Sequence, residues 1–331
     1  MLPEYQGLRD QWHAVAESAD LTGGPLAVRL LGEAYVVWRG PDGVVVAAPD
    51  RCTHREAPLS AGKLSGGCLV CPYHGWTFGG EGRCVNVPSS GEGRPVPPKA
   101  HLPVVHSEER YGLVWLCVGE PAGTIFECRY EHDPAFRRIN TGVEVWQTNA
   151  LRMSDNFLDI SHFPWVHTGT FGTSQQIEVP HIDLGPLDDG FYGYSYEVEA
   201  GNTSELGQVA SGAAGTSTVH RRMSTGFHLP LTVRSTIAYE NGLEHIILML
   251  AAPVDDVTSY FTFVIWRNDD FNVPAEEVIA FDRAIGAEDK RMLELVPGTL
   301  PLDQTRTVSV QSDKASVEWR RQLAALLGAG N

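Results

Sequence analysis

Two short runs bring cysteine and histidine together: Cys52-Thr53-His54 and Cys71-Pro72-Tyr73-His74, with sixteen residues between them. Thiolate and imidazole are ligands for soft and borderline metals, and two of each admit two sites. One is a tetrahedral zinc ion. The other is a [2Fe–2S] cluster with both thiolates on one iron and both imidazoles on the other. Zinc usually takes its ligands as a C-x-x-C knuckle and a separate histidine pair. Here each run supplies one Cys and one His, so each loop can touch both irons, and the pattern points to the cluster.

A second constellation lies at 156–167. Asn156, Asp159 and His162 recur at i, i+3 and i+6, which places them near one face of a helix. Pro164 is read as the end of that helix, after which a loop can return His167 to His162. Two imidazoles and a carboxylate, with positions left open, make the facial triad of non-haem Fe(II) oxygenases. The carboxylate must come from elsewhere. A helix read over 274–296 offers Asp282, Glu288, Asp289 and Glu294.

The elements that must hold these residues fall into two textures. Residues from about 25 to 120 read as short strands cut by Gly and Pro, among them 27–31, 34–38, 44–48 and 113–118, so each cysteine loop follows a strand. Prolines 88, 95, 97, 98 and 103 mark an irregular loop over 88–103. Beyond 120 the chain predicts a helix over 152–163 and strands within 190–268, notably 231–239, 245–251 and 260–266. Pro274 opens a long helix, and a last helix covers 314–327 with Ser312 or Asp313 as its N-cap. The fold class is α+β: a small antiparallel β domain over 1–120, then a larger domain over 121–331 with a central antiparallel sheet flanked by helices.

At 331 residues, 43% hydrophobic and 20% charged, the chain is neither disordered nor fibrous. The 25 Lys and Arg against 41 Asp and Glu give a formal net charge of −16, a field that repels phosphate backbones and anionic headgroups. Neither nucleic acid nor membrane is expected as a partner. The longest apolar stretch, 246–254, is too short to span a bilayer, and no signal peptide is visible, so a cytoplasmic protein is expected. Six cysteines are too few for a disulfide scaffold, and Cys68, Cys84, Cys117 and Cys128 read as buried small apolar side chains. His13, His101, His106, His132, His181, His220 and His245 have no partner at ligand spacing and read as surface or satisfied polar residues. Phe191, Tyr192, Tyr194, Phe227, His228, Phe261, Phe263 and Trp266 read as core more readily than as pocket.

The run R-C-T-H-R-E-A-P-L-S-A-G at 51–62, followed by C-P-Y-H-G-W-T-F at 71–78, resembles the Rieske domain of Rieske non-haem iron oxygenases. The resemblance implies that Cys52 and Cys71 hold one iron of a [2Fe–2S] cluster and His54 and His74 the other. Respiratory-chain Rieske proteins carry a further cysteine in each loop; Ala57 and Tyr73 stand at those positions here, so that disulfide cannot form. The 156–167 run extends the resemblance, and S-D-K-A-S-V-E-W-R-R at 312–321 resembles the C-terminus of vanillate- and dicamba-demethylase-type enzymes. In that family an E-D stretch supplies the carboxylate. This selects Asp289 to join His162 and His167 on a mononuclear Fe(II), with Glu288 and Asp282 in reserve. Asn156 and Asp159 are the candidate catalytic residues. The family's ring of three implies a homotrimer in which Asp159 bridges His162 to His74 of the partner subunit.

The resemblance implies the terminal oxygenase of a multicomponent monooxygenase with O2 as co-substrate. No G-x-G-x-x-G follows a strand, so electrons must come from a separate ferredoxin or NAD(P)H-dependent reductase. Arg51, Arg55, Lys63 and Arg83 flank the cluster loops and offer a basic patch to an acidic donor. The expected reaction is hydroxylation, or O- or N-demethylation with loss of formaldehyde, of a small aromatic or heterocyclic substrate. Two other readings stand beside it: a Rieske electron-transfer protein without oxygen chemistry, and a ring cis-dihydroxylating dioxygenase.

Overall fold

The computed structural model describes residues 3–91, 94–172, 177–303 and 305–328. Met1 and Leu2, which open the stretch read for a signal peptide, and two residues of the proline-rich loop lie outside them. The chain divides into two compact units, one of 1–125 with 252–255 and one of 126–251 with 256–331.

The first unit is built from ten short strands: β1 (His13–Glu17), β2 (Leu26–Leu30), β3 (Glu33–Arg39), β4 (Val45–Pro49), β5 (Lys63–Ser65), β6 (Cys68–Val70), β7 (Thr77–Phe78), β8 (Cys84–Asn86), β9 (His106–Arg110) and β10 (Leu113–Cys117). They form three antiparallel sheets, ordered β1-β10-β9, β2-β3-β4 and β5-β6-β7-β8. The two-residue turns Leu31-Gly32, Gly66-Gly67 and Tyr111-Gly112 have positive φ at both positions, the geometry that matches the right-handed twist of a tight hairpin. Trp38, Val46, Leu69 and Phe78 interlock the second and third sheets into one core. Cys52 and Cys71 belong to that core, Cys71 directly after β6 and Cys52 three residues after β4, so the core sets where the two candidate loops begin.

The second unit contains β11 (Arg137–Asn140), β12 (Glu144–Trp146), α1 (Ala150–Phe157), α2 (Phe163–Val166), β13 (Gly185–Pro186), β14 (Tyr192–Gly201), α3 (Glu205–Ser211), β15 (Thr218–His228), β16 (Thr232–Tyr239), β17 (Glu244–Pro253), β18 (Ser259–Arg267), α4 (Ala275–Leu293) and α5 (Lys314–Leu326). Its eight-stranded sheet runs β11-β18-β17-β16-β15-β14-β13, with β12 also on β18. Alternation along the long strands sends every second side chain to one face. Met223, Ile237 and His245 make one row across β15, β16 and β17, and Thr225, Ser235 and Ile247 make the next. The C-terminal helix locks α1 in place. Arg320 holds Asp155 through two hydrogen bonds of 2.7 and 2.6 Å, and Trp319 donates to the Pro230 carbonyl at 2.9 Å. The run at 312–321 is thus tied to Asp155, the residue just before the run at 156–167.

Two expectations fail locally. The helix expected over 152–163 stops at Phe157, and Pro164 lies inside the next short helix rather than ending the first. The cause is Asp159, whose carboxylate accepts the backbone N–H groups of Ser161 and His162 and the Ser161 hydroxyl. Aspartate offers the backbone a turn in competition with the helix, and here the turn wins. The second concerns Cys68, which is half-buried, whereas Cys84, Cys117 and Cys128 are buried. Among the described residues, no helix is long and apolar enough to cross a membrane.

Candidate metal centres

The two loops of the first unit share one backbone design. The Cys52 N–H donates to the Ala57 carbonyl (2.9 Å) and the Glu56 N–H returns to the Cys52 carbonyl (2.9 Å). In the second loop the Cys71 N–H donates to Trp76 (2.8 Å) and the Gly75 N–H to Cys71 (3.1 Å). The fifth residue of each loop takes the left-handed conformation, with φ of 58° at Glu56 and 70° at Gly75. Both thiols point into the core, while His54 is half-buried and His74 exposed. The imidazoles lie edge to face with centroids 4.5 Å apart, and Trp76 stacks on His54 at 4.5 Å and 3°. Burial, together with the adjacent Cys71 thiol and against the N–H groups of His54 and Arg55, pushes the Cys52 thiol up to about 11.

Whether a cluster suits these residues can be judged from the donors. His54 Nδ1 is buried with no hydrogen-bond partner, a costly state unless an acceptor of its lone pair is supplied. The four side chains also do not close on one point. Among the described residues, the only three His, Cys, Asp or Glu with ligand atoms all within 4.8 Å of one another are His162, His167 and Asp289. The Cys2His2 set therefore lacks the convergence a tetrahedral zinc ion requires and fits a two-iron group.

In the second unit three atoms converge. His162 Nε2 lies 3.1 Å from His167 Nε2, and Asp289 Oδ1 lies 3.4 Å from both. Asp289 reaches them because Asp282, Ile285 and Asp289 share one face of α4, which lines the same cavity as the two rings. The other nitrogen of each ring is also held. His162 Nδ1 meets Asp159 Oδ2 at 3.0 Å, and His167 Nδ1 meets Glu288 Oε2 at 3.1 Å. Glu288, a reserve ligand in the sequence, thus turns outward from the convergence point to orient His167. Its carboxylate also accepts the Gly169 N–H (2.9 Å) and the Thr170 hydroxyl (2.7 Å). A Cβ at Gly169 would stand 2.7 Å from Glu288 Oε1, so a side chain there would displace the carboxylate from its present place. Asn156 donates to Asp289 Oδ1 at 3.0 Å.

The electrostatics follow from these contacts. Burial pulls the His162 ring down, but the carboxylates of Asp159 and Asp289 outweigh it and hold it up at about 9. Burial dominates at His167 and lowers it. Asp159 is drawn upward by burial, yet His162 and the two Ser161 donors bring it below the usual carboxylate range. Two imidazoles oriented from behind by carboxylates, and a third carboxylate among them, suit a divalent cation held on one side.

A cavity of about 90 Å³ lies against these residues, floored by the sheet rows already described and walled by α4. Phe263 belongs to its lining, whereas the other aromatics read as core do not. His245 overturns its assignment as an ordinary polar residue. It is buried in the cavity wall, accepts from Arg267 at Nδ1 (3.0 Å) and lies 3.3 Å from Asp282, the other reserve ligand, which stands outside the convergence point. The one signal in the sequence was a histidine opening an otherwise apolar strand. His13 does behave as expected, buried and satisfied by the Leu8 carbonyl at 2.8 Å.

Comparison with known proteins finds a match for each of two domains. The Rieske [2Fe-2S] domain profile matches residues 11–104, and the vanillate O-demethylase oxygenase C-terminal domain profile matches 146–329. Methylxanthine N1-demethylase NdmA of Pseudomonas putida is 32% identical over 98% of this chain and 90% of its own length. The structure of NdmA with caffeine superposes with a TM-score of 0.84 at 30% identity, over 99% of this chain and 93% of that one. Dicamba O-demethylase of Stenotrophomonas maltophilia is 40% identical over 48% of each chain. Its fold-level likeness is wider, since dicamba monooxygenase bound to dicamba gives a TM-score of 0.81 at 25% identity over 97% of this chain and 98% of that one. The chain belongs to the Rieske non-haem iron oxygenases, a family that uses a Rieske [2Fe–2S] cluster, a mononuclear iron and O2, and within it to the group with the vanillate O-demethylase-type C-terminal domain.

Proposed function

We propose that this oxygenase is the terminal component of a system that removes a methyl group from a nitrogen or oxygen of a small heterocyclic or aromatic substrate. The observation that carries the reading is the convergence of His162 Nε2, His167 Nε2 and Asp289 Oδ1 within 3.4 Å beside a mostly apolar cavity. Its relatives include N- and O-demethylases. In this reading Cys52, Cys71, His54 and His74 hold the cluster, and His162, His167 and Asp289 hold the iron. When bound, the iron supplies the oxygen-activating centre and the cluster its electrons. The residues of the chain do the rest. Asp159 and Glu288 fix the ring tautomers so that both Nε2 atoms face the ion. Asn156 orients the Asp289 carboxylate, and the apolar walls keep bulk water from the reacting methyl group.

The overall reaction balances as follows. One atom of O2 enters a methyl C–H bond, giving a hydroxymethyl group that breaks its C–N or C–O bond to release formaldehyde and leave N–H or O–H. The second oxygen atom leaves as water, using two electrons and two protons from outside the chain. A ferredoxin or NAD(P)H-dependent reductase would deliver those electrons. The exposed Arg51, Arg55, Lys63 and Arg83 are the docking charges we assign to it. A homotrimer would bring His74 of the partner subunit to Asp159. In this reading residues 1–120 serve electron entry and 121–331 catalysis.

Metal analysis tests this directly. Anaerobically purified protein should hold about three irons and two acid-labile sulfides per chain, and reductase-supported turnover of a substrate should release formaldehyde in step with O2 consumed. About two irons to two sulfides after Fe(II) reconstitution would leave a Rieske electron carrier instead.

A further inference from the structure

Three hydroxyls stand in a single row on the sheet that floors the cavity. Tyr194 of β14 is paired with Thr225 of β15, and Thr225 with Ser235 of β16, so strand alternation puts all three side chains on one face. Tyr194 and Thr225 are buried, and Thr225 and Ser235 line the cavity beside His162. The row is hydrogen-bonded from end to end. The Tyr194 hydroxyl donates to the Leu158 carbonyl at 3.0 Å. The Thr225 hydroxyl is hydrogen-bonded to the Tyr194 oxygen, and Thr225 Oγ1 lies 3.1 Å from Ser235 Oγ.

The protons of this row can run in one direction only. A carbonyl oxygen accepts and never donates, and each hydroxyl has a single proton to give. Tyr194 gives its proton to Leu158, so its oxygen can only accept from Thr225. Thr225 has then given its own, so Ser235 must be the donor to Thr225. What remains for the cavity is a lone pair on Ser235 Oγ, an acceptor whose sense is set by a backbone carbonyl at the far end of the row. Among the described residues, the cavity lining also holds buried atoms without a hydrogen-bond partner: Nε and Nη2 of Arg221, Nε2 of His245 and Oδ2 of Asp282. Asp282 is thus a second acceptor in the wall. Ser235 differs from it in being uncharged, and from an ordinary serine in having no proton free for a ligand.

We propose that Ser235 is a specificity-determining residue of the pocket and accepts a hydrogen bond from a neutral N–H or O–H on the ring of the substrate. Tyr194 and Thr225 act through it as positioning residues, because they hold Ser235 in the acceptor role. This rests on the cavity being the substrate pocket of the demethylase described above. The class it names is a ring with a donor group apart from the methylated atom, such as a lactam or a phenol. A ring whose heteroatoms only accept is disfavoured.

Binding measurements on the full chain with its metals loaded test the proposal without turnover. Pyrrole and furan are rings of closely matched shape, the first with an N–H donor and the second with an oxygen acceptor. Titration calorimetry should show pyrrole binding about three- to tenfold more tightly, the span of one neutral hydrogen bond. In Ser235→Ala that preference should fall below about twofold. Tyr194→Phe alters no residue of the cavity lining, yet it returns a proton to Thr225 and lets Ser235 turn its own toward the cavity. Furan affinity should therefore rise in that variant and the preference shrink, although Ser235 is still present. Equal affinity for the two probes in the wild type, or a preference for furan, overturns the proposal without any variant. A preference that survives Ser235→Ala points to Asp282 as the acceptor and overturns it as well. So does a preference unchanged in Tyr194→Phe whose iron-to-sulfide ratio matches the wild type. Should Tyr194→Phe not fold, Thr225→Val breaks the row one step nearer the cavity and is read in the same way. The demethylase reading fails separately: an iron-to-sulfide ratio of about two to two, with the pyrrole preference present and lost in Ser235→Ala, would leave a donor-selective pocket in a protein that is not an oxygenase.

Discussion

Asn156 Nδ2 donates to Asp289 Oδ1 at 3.0 Å, and that same oxygen faces the Nε2 atoms of His162 and His167 at 3.4 Å. One oxygen thus has three neighbours, all from the run at 156–167 and far from Asp289 in sequence. The amide fixes where the carboxylate points and leaves its second oxygen for other work.

Replacing Asp289 with Ala should therefore remove one iron per chain and leave the cluster intact. Iron should fall from about three to about two for two sulfides, with the visible absorption of the cluster unchanged. Loss of both together would mean that the two centres do not load independently.

Asp159 has two duties that a single substitution separates. In Asp159→Asn an oxygen remains to accept from Ser161, so the turn that ends α1 survives. The position facing His162 Nδ1 can become a donor, and the ring loses its orienting partner. Iron and sulfide should remain near the wild-type ratio, while reductase-driven turnover drops by at least about 10–100-fold. Full turnover in the Asp159→Asn protein would show that the carboxylate does not act through His162.

The matched loops predict unequal tolerance at matched positions. Glu56 already bears a side chain at φ 58°, and its ion pair with Arg51 is exposed at 3.4 Å, so Glu56→Gly should change stability by no more than about 1 kcal/mol. Gly75→Val adds a β-branched side chain at φ 70°, with its Cβ 3.2 Å from Pro88 Cγ, and should cost about 2 kcal/mol or more. Thermal melts followed through the cluster's colour would compare the two.

Buried His13 sets a pH dependence. Burial, only partly opposed by the hydrogen bond to Leu8, pushes its pKa from 6.5 down to about 4. The unfolded chain then takes up a proton that the folded chain refuses. Stability from this site is complete above about pH 6.5 and drains as the pH falls toward 4, by up to about 3 kcal/mol. His13→Gln, which keeps a donor for Leu8, should flatten denaturation midpoints across that window. An unchanged slope would place the acid sensitivity elsewhere.

What could be read from the chain depended on how local each feature is. The cluster loops were legible because the four residues assigned to them fit within 52–74, where spacing alone constrains them. Placing Asp289 required a family likeness, because four acids on one helix satisfy the same pattern and only packing decides which faces the histidines. Glu288 illustrates the point: adjacent to Asp289 in sequence, it lies behind His167 in space. The break after α1 was missed because Asp159 suits a helical face and a helix-ending turn equally well, and its three backbone and hydroxyl contacts settle the competition only once folded. His245 was read as a surface or satisfied polar residue, and Arg221 drew no reading. Their shared face becomes visible only when β15, β16 and β17 are set in register.

The spread of the second centre along the chain has a consequence in time. The four positions assigned to the cluster and the core that sets their loops have been synthesised by residue 102, while Asp289 emerges nearly two hundred residues later and α5, which clamps α1, later still. At about 5–20 residues per second the two events are separated by roughly 10–40 s. A nascent chain can thus present a complete binding site for sulfide-bridged iron while it has no place for the solitary ion. Assembly in the cell is ordered by synthesis itself, and starvation for Fe(II) should yield protein already coloured by its cluster yet unable to turn over.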